Sequence, residues 1–364
     1  MRLRPGQIVQ SPVSKRRYEV TGLLGQGGFG NAYRAWELNR RGRRFEEVCL
    51  KVTIDQSSWH RESYFGELLS RQKRVIQLLD TFPLPAKTRG GNMLFCLVLE
   101  LAEQGTIADY LEKTGKPWPQ ERAVREIVAL LRVLEELHGG SATHRDLTPM
   151  NIFVAGHARL KLGDFGIARH SLAGRPQTID AFNPAFVTQG FRSQGAHRYW
   201  QAVDDVFQMG QLLAMLLRGE HEHLIAVRDV KKLDCDDELK RVLKKAIGPR
   251  RQRYQDAWEL AQALLGAPDP KPVRIRSLRG KTVVFTGPLS IRRFDAEAMV
   301  RQVGGKVGRS VSRDTDVLVQ GGRSAHERGH KGTKLLKAER LARKGIKIAI
   351  LTEAQFRRLI RSAE

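Results

Sequence analysis

The segment Gly266-Ala267-Pro268-Asp269-Pro270-Lys271-Pro272 carries three prolines at alternate positions. Each fixes φ and removes a backbone donor, so neither a helix nor a strand ladder continues through it. A chain of 364 residues punctuated there reads as two globular units, residues 1–265 and 278–364, joined by a Pro-rich linker over 266–277. Hydrophobic residues make up 41% of the chain, enough for each unit to bury a core of its own. No repeat of solenoid length and no long low-complexity tract is present.

The first unit changes character along its length. Residues 18–24, 32–37, 48–54, 76–81 and 94–99 are rich in apolar and β-branched side chains and predict strands. Residues 120–138 place apolar side chains at 123, 124, 127, 128, 131, 134 and 137, a helical stripe, with Gly139-Gly140 expected to supply a left-handed cap. Residues 203–217 read as a buried helix, although they carry Asp204, Asp205 and two glutamines. The expectation is an α+β unit, a small β-rich lobe followed by a larger helical one.

Several classes are disfavoured by composition. The start, Met1-Arg2-Leu3-Arg4-Pro5-Gly6, lacks the apolar core of a signal peptide, and no run reaches the roughly 20 apolar residues that span a bilayer. No membrane association and a cytoplasmic setting are expected. Cys49, Cys96 and Cys235 are odd in number and widely spaced, so neither a disulfide framework nor a thiolate zinc cluster is expected. His326-Glu327-Arg328-Gly329-His330 matches a zinc-protease string that requires a helix, yet the surrounding glycines predict a loop, so no zinc is expected. The formal charge of +24 favours polyanionic partners, and residues 278–364 hold 20 Lys and Arg against 8 Asp and Glu.

Four motifs carry chemistry. His144-Arg145-Asp146-Leu147-Thr148-Pro149-Met150-Asn151 and Asp164-Phe165-Gly166 together supply a base and two hard oxygen ligands for a metal ion. Upstream, Gly25-Gln26-Gly27-Gly28-Phe29-Gly30 lies between two predicted strands, where backbone amides can approach phosphate oxygens. Val48-Cys49-Leu50-Lys51 adds a cation. In this order the motifs resemble those of protein kinases, and the resemblance covers the first two-thirds of the chain.

The resemblance implies a two-lobed fold that uses ATP and Mg2+ to phosphorylate a protein substrate. Asp146 would accept or orient the substrate hydroxyl proton, Asn151 and Asp164 would hold magnesium, and Lys51 would hold the nucleotide phosphates. Lys51 should pair with a glutamate on the next helix. Glu62 is favoured because Phe65 and Leu69 share its helical face, while Glu67 lies at a more usual distance in sequence. The nucleotide would also be met by Gly25, Gln26, Gly27, Gly28, Phe29, Gly30, Cys49 and Ala32, which stands where valine is usual over the adenine. Leu99 takes the gatekeeper position, Glu100, Leu101 and Ala102 the hinge, and Phe153 the pocket floor.

Two departures from that pattern are visible. Thr148 stands where serine/threonine kinases carry lysine, and no Ala-Pro-Glu occurs between Asp164 and Asp205, although Arg253 stands where the partner of that glutamate is expected. Asp205 is expected to hold the catalytic-loop backbone. Arg145 before Asp146 suggests control by phosphate on the activation segment, with Ser171 and Thr178 as candidates.

The last 87 residues carry Gly280-Lys281-Thr282-Val283-Val284-Phe285-Thr286-Gly287, Gly304-Gly305, Thr315-Asp316-Val317-Leu318-Val319 and Gly332-Thr333-Lys334-Leu335-Leu336-Lys337-Ala338. They resemble a BRCT domain of the DNA ligase and clamp-loader type, which implies a small α/β domain with a central parallel sheet and Phe356 in place of a usual tryptophan. The resemblance implies a phosphate pocket of Thr286, Gly287, Arg293 and Lys334 for 5′-phosphorylated DNA ends or a phosphoprotein. The whole chain is then expected to be a serine/threonine protein kinase targeted by that module, within DNA repair signalling; the alternative is a pseudokinase scaffold.

Overall fold

The computed structural model describes residues 3–27, 30–85, 93–170, 186–187, 200–266, 273, 275–321, 333–343 and 345–361. Those up to Gly266 form one compact unit and those from Val273 onward another. Ser171, Thr178 and the string 326–330 lie outside the described residues.

The first unit opens with strands β1 (Ile8–Gln10), β2 (Arg17–Gly27), β3 (Gly30–Leu38) and β4 (Arg44–Thr53), then helix α1 (Gln56–Leu68) and strands β5 (Leu78–Leu84) and β6 (Leu94–Glu100). They form one six-stranded sheet in the order β1-β2-β3-β4-β6-β5, with antiparallel neighbours throughout. Alternation explains it: Tyr18, Val20, Tyr33, Ala35, Val48, Leu50, Val52, Cys96 and Val98 are buried in one cluster. Asp55 ends the run by capping α1, accepting from Ser57 N and Ser58 N.

Two expectations about element ends are corrected. The strand expected from residue 76 begins at Leu78, because the Gln77 amide bonds Gln72 O at 3.0 Å and Val75 O at 2.8 Å and holds a turn there. The long helix does not end on a left-handed glycine: Gly140 has φ −86°, and the left-handed residue is Ser141 at φ 60°.

The helical lobe contains α2 (Ile107–Thr114), α3 (Gln120–Gly139), the short strands β7 (Ala142–Thr143), β8 (Ile152–Ala155), β9 (Arg159–Leu162) and β10 (Arg169–His170), then α4 (Ala202–Arg218), α5 (Asp237–Ala246) and α6 (Ala257–Leu264). Helix α4 is buried from Val203 to Leu217. Its polar residues are paired inside the lobe, with the Gln211 side chain bonding both N and O of Ile225. Hairpin β8-β9 pairs Ile152 with Leu162 and so brings Asn151 close to Asp164.

The second unit contains β11 (Thr282–Thr286), α7 (Arg293–Gln302), β12 (Lys306–Gly308), β13 (Val317–Gln320), α8 (Thr333–Arg343), β14 (Ala349–Thr352) and α9 (Glu353–Arg361). The four strands are parallel, in the order β12-β11-β13-β14. Both faces are covered, as a parallel sheet requires. Val283, Phe285, Val317 and Val319 enter one core with Phe356, while Val284 and Leu318 enter the other with Leu335 and Ala338. Phe356 meets Phe285 edge-on at 5.3 Å. Leu278 is buried and Ile275 packs beside it, so this unit's core begins inside the expected linker.

Candidate active site

A cleft of about 730 Å³ lies in the first unit between the sheet and the helical lobe. Gly25, Gln26, Gly27, Gly30, Ala32, Cys49, Lys51, Leu99, Glu100, Leu101, Ala102 and Phe153 all line it, as do Glu62, Asp146, Asn151 and Asp164. The glycine loop is the end of the β2-β3 hairpin, where Gly27 pairs with Gly30, and Gly28 and Phe29 between them lie outside the described residues. Gly30 has φ 134°, and a Cβ there would stand 2.3 Å from Val52 O, so this position takes only glycine.

Register delivers the cation. Lys51 faces Leu97 across β4-β6, and its Nζ lies 2.8 Å from Glu62 Oε2 on α1 and 3.0 Å from Asp164 Oδ2. Glu67 is exposed on another face of the helix. Burial works against the Lys51 charge, but Asp164 and Glu62 together hold its ammonium above the ordinary range. Burial pushes Glu62 up to about 7 despite Lys51. Asp164 is also buried, yet Lys51 and the amide of Gly166 keep it below the ordinary carboxylate value. Lys51 thus bridges two buried carboxyl groups, one raised and one lowered.

Asp146 sits on the turn after β7. Asn151 Nδ2 donates to its Oδ2 at 2.7 Å and to its backbone oxygen at 3.0 Å. Burial, followed by the charge of Asp164, pushes its carboxyl up to about 7, against the bond from Asn151. Asp164 itself is left-handed at φ 54°, and Arg145 at φ 75°. Such conformations in non-glycine residues persist only where surrounding contacts impose them.

Those contacts come from far along the chain. Asp205 on α4 accepts from His144 N at 2.9 Å, Arg145 N at 3.0 Å, Trp200 Nε1 at 2.8 Å and His138 Nε2 at 3.0 Å. Because Ala257 N donates to His138 Nδ1, the His138 proton lies on Nε2 and points at Asp205. His144 is held between Asp146 N and Gly163 O, with burial lowering its pKa, and its ring packs on Phe165 at 4.7 Å.

Sequence reading did not identify every residue here. Leu24, Ile76, Met150 and Gly163 also line the cleft. The position of Leu24, directly before the glycine loop, is a usable signal; Ile76 reaches the wall only because its amide bonds Leu162 O at 2.8 Å. Arg61 Nε donates to Gly166 O at 2.5 Å, so α1 holds both Lys51 and the Asp164 turn. Arg253 is buried over Phe207 and bonds Gly248 O at 2.7 Å, while the neighbouring Arg250 takes Asp204.

In the second unit, Arg293 donates to Phe285 O at 3.1 Å and Gly287 O at 2.9 Å, and Lys334 Nζ donates to Phe285 O at 3.2 Å. Thr286 and Gly287 follow directly at the end of β11, where Gly287 is left-handed at φ 74°. The two cations thus converge on neutral carbonyl groups.

Comparison with known proteins points in one direction. The sequence profile described as protein kinase domain matches residues 18–271. The chain is 29% identical over 196 residues to serine/threonine-protein kinase PEPKR2 of Arabidopsis thaliana, covering 54% of this chain and 38% of that protein. It is 31% identical over 201 residues to the probable serine/threonine-protein kinase zyg-1 of Caenorhabditis briggsae, covering 53% and 26%. Over 224 residues it is 30% identical to serine/threonine-protein kinase tousled-like 1-B of Danio rerio, covering 56% and 27%. The chain thus spans well under two-thirds of each of these relatives. No helix among the described residues is long and apolar enough to cross a membrane.

Proposed function

This chain belongs to the protein kinase domain family, and on that premise we propose that it transfers the γ-phosphate of ATP to a serine or threonine hydroxyl of a protein. The observation that carries this reading is the gathering of Lys51, Glu62, Asp146, Asn151 and Asp164 around one cleft of nucleotide size. Lys51 holds the phosphates and Glu62 holds Lys51. Asp146 takes the acceptor's proton as the oxygen–phosphorus bond forms and the bridging oxygen departs with its electron pair.

The residues fit magnesium. Asp164 offers carboxylate oxygens, and Asn151, whose amide hydrogens serve Asp146, offers its carbonyl oxygen. Bound there, magnesium would neutralise charge on the phosphates. Labelled ATP with magnesium and casein tests the reading: the wild-type chain incorporates label, and Asp146→Asn does not. Nucleotide binding without transfer by the wild type would instead favour a pseudokinase scaffold, the reading to which Thr148 and the missing Ala-Pro-Glu lend support.

For the second unit the reading is a BRCT module that carries the kinase to 5′-phosphorylated DNA ends or phosphoproteins. Its parallel sheet, the convergence of Arg293 and Lys334 on Phe285 O and its excess of basic residues support this. Equal affinity of the full chain for phosphorylated and hydroxyl DNA ends, together with indifference to a phosphopeptide, would remove the phosphate pocket.

A further inference from the structure

Two buried side-chain oxygens on the Asp146 turn are unpaired among the described residues. Thr148 is 1% exposed, and among the described residues neither its Oγ1 nor the buried Oδ1 of Asp146 has a hydrogen-bond partner. Both residues line the cleft. A buried polar atom left unpaired costs free energy, so two on one turn call for a ligand that completes them.

The turn is held rigidly. Thr148 N donates to Asp146 O and Asn151 N to Thr148 O, each at 3.0 Å. Leu147 N donates at 3.0 Å to Gln208 on α4, which ties the turn to the core. Asn151 occupies Asp146 Oδ2, which leaves Oδ1 as the unpaired oxygen.

The chemistry of the pair selects its ligand. An ionised carboxylate oxygen only accepts, and a hydroxyl has a proton to donate. Their complement donates one hydrogen bond and accepts another through a single oxygen, as an alcohol or a water molecule does, and of these the alcohol is the phosphate acceptor of the reading above. An ionised phosphate has no proton for Asp146, and an ammonium has no lone pair for Thr148.

We propose that Thr148 is a positioning residue for the acceptor alcohol. Its hydroxyl donates to the acceptor oxygen, while the alcohol's own O–H points at Asp146 Oδ1. One lone pair of that oxygen is thereby fixed and another is aimed at phosphorus. On transfer the oxygen bonds the γ-phosphorus, the bridging oxygen leaves with its electron pair, and the alcohol proton passes to Asp146. Thr148 is unchanged at the end of the cycle. The inference rests on the phosphotransfer reading above and adds that a neutral hydroxyl grips the acceptor.

Thr148→Val keeps the shape and removes the unpaired hydroxyl. In the full chain, with casein and labelled ATP, kcat is expected to fall about tenfold or more, the scale of one lost hydrogen bond in the transition state. KM for ATP stays unchanged, the melting temperature stays equal or rises, and Thr148→Ser restores most of kcat. Wild-type kcat in Thr148→Val overturns the proposal, as does a fall in melting temperature and activity together in both variants. Asp146→Asn, measured in parallel, separates the two claims: a wild-type chain no more active than Asp146→Asn removes the phosphotransfer reading, whereas an inactive Asp146→Asn beside an active wild type and a fully active Thr148→Val removes only the role of Thr148.

Discussion

Asp146 is held in the free protein at a cost. Its carboxyl rises from 3.8 to about 7 on folding, chiefly through burial, so the fold binds its proton more tightly than the unfolded chain does. Stability contributed by that proton is complete below about 3.8 and is lost as pH climbs through about 7. Asp146→Asn removes the penalty. The nucleotide-free variant should melt higher than wild type at pH 8, by about 2–4 °C for each kcal/mol relieved, with the advantage shrinking toward pH 4. Scanning calorimetry across that range checks the sign. Lys51 presents the converse case, since Lys51→Met leaves Glu62 and Asp164 facing each other without a cation. Phosphate incorporation should fall about 100-fold or more, while circular dichroism shows the fold retained.

At the scale of elements, the Asp146 turn is shaped by its neighbours more than by its own sequence. Helix α4 reaches it through Asp205 and Gln208, and α1 reaches the Asp164 turn through Arg61. Asp205→Ala strips one acceptor from four buried donors, so unfolding in urea should show a loss of about 3 kcal/mol or more with an unchanged slope. The elements differed in how far they were legible beforehand. Helix α4 was plain from its apolar run, and the strands of the sheet from their composition. The end of α3 was not, because Gly140 bonds back to Glu136 O and Leu137 O, which moves the left-handed residue to Ser141.

At the scale of the whole molecule, the chain forms two units with separate cores. One holds the cleft and the other carries the denser positive charge. If Arg293 and Lys334 meet phosphate, the double variant Arg293→Ala/Lys334→Ala should lose discrimination between 5′-phosphate and hydroxyl ends. It should also reduce the salt slope by about 2 for duplex DNA. Fluorescence anisotropy with end-labelled duplexes at several salt concentrations reads both effects. Retained discrimination would move the phosphate contact elsewhere.

What the sequence by itself determined was the set of chemical groups and their order: the glycine hairpin, Lys51, Asp146, Asn151, Asp164 and the proline break. These are legible because turn chemistry, alternation and motif spacing act over a few residues. Tertiary structure decided the pairings. Glu62 rather than Glu67 meets Lys51 because of how α1 is turned against the sheet, and Arg61 meets Gly166 across 105 positions of sequence. The unpaired oxygens of Asp146 and Thr148 are likewise a matter of packing. Burial, hydrogen-bond completion and shifted acidity depend on segments far apart in the chain, and no local pattern encodes their distance.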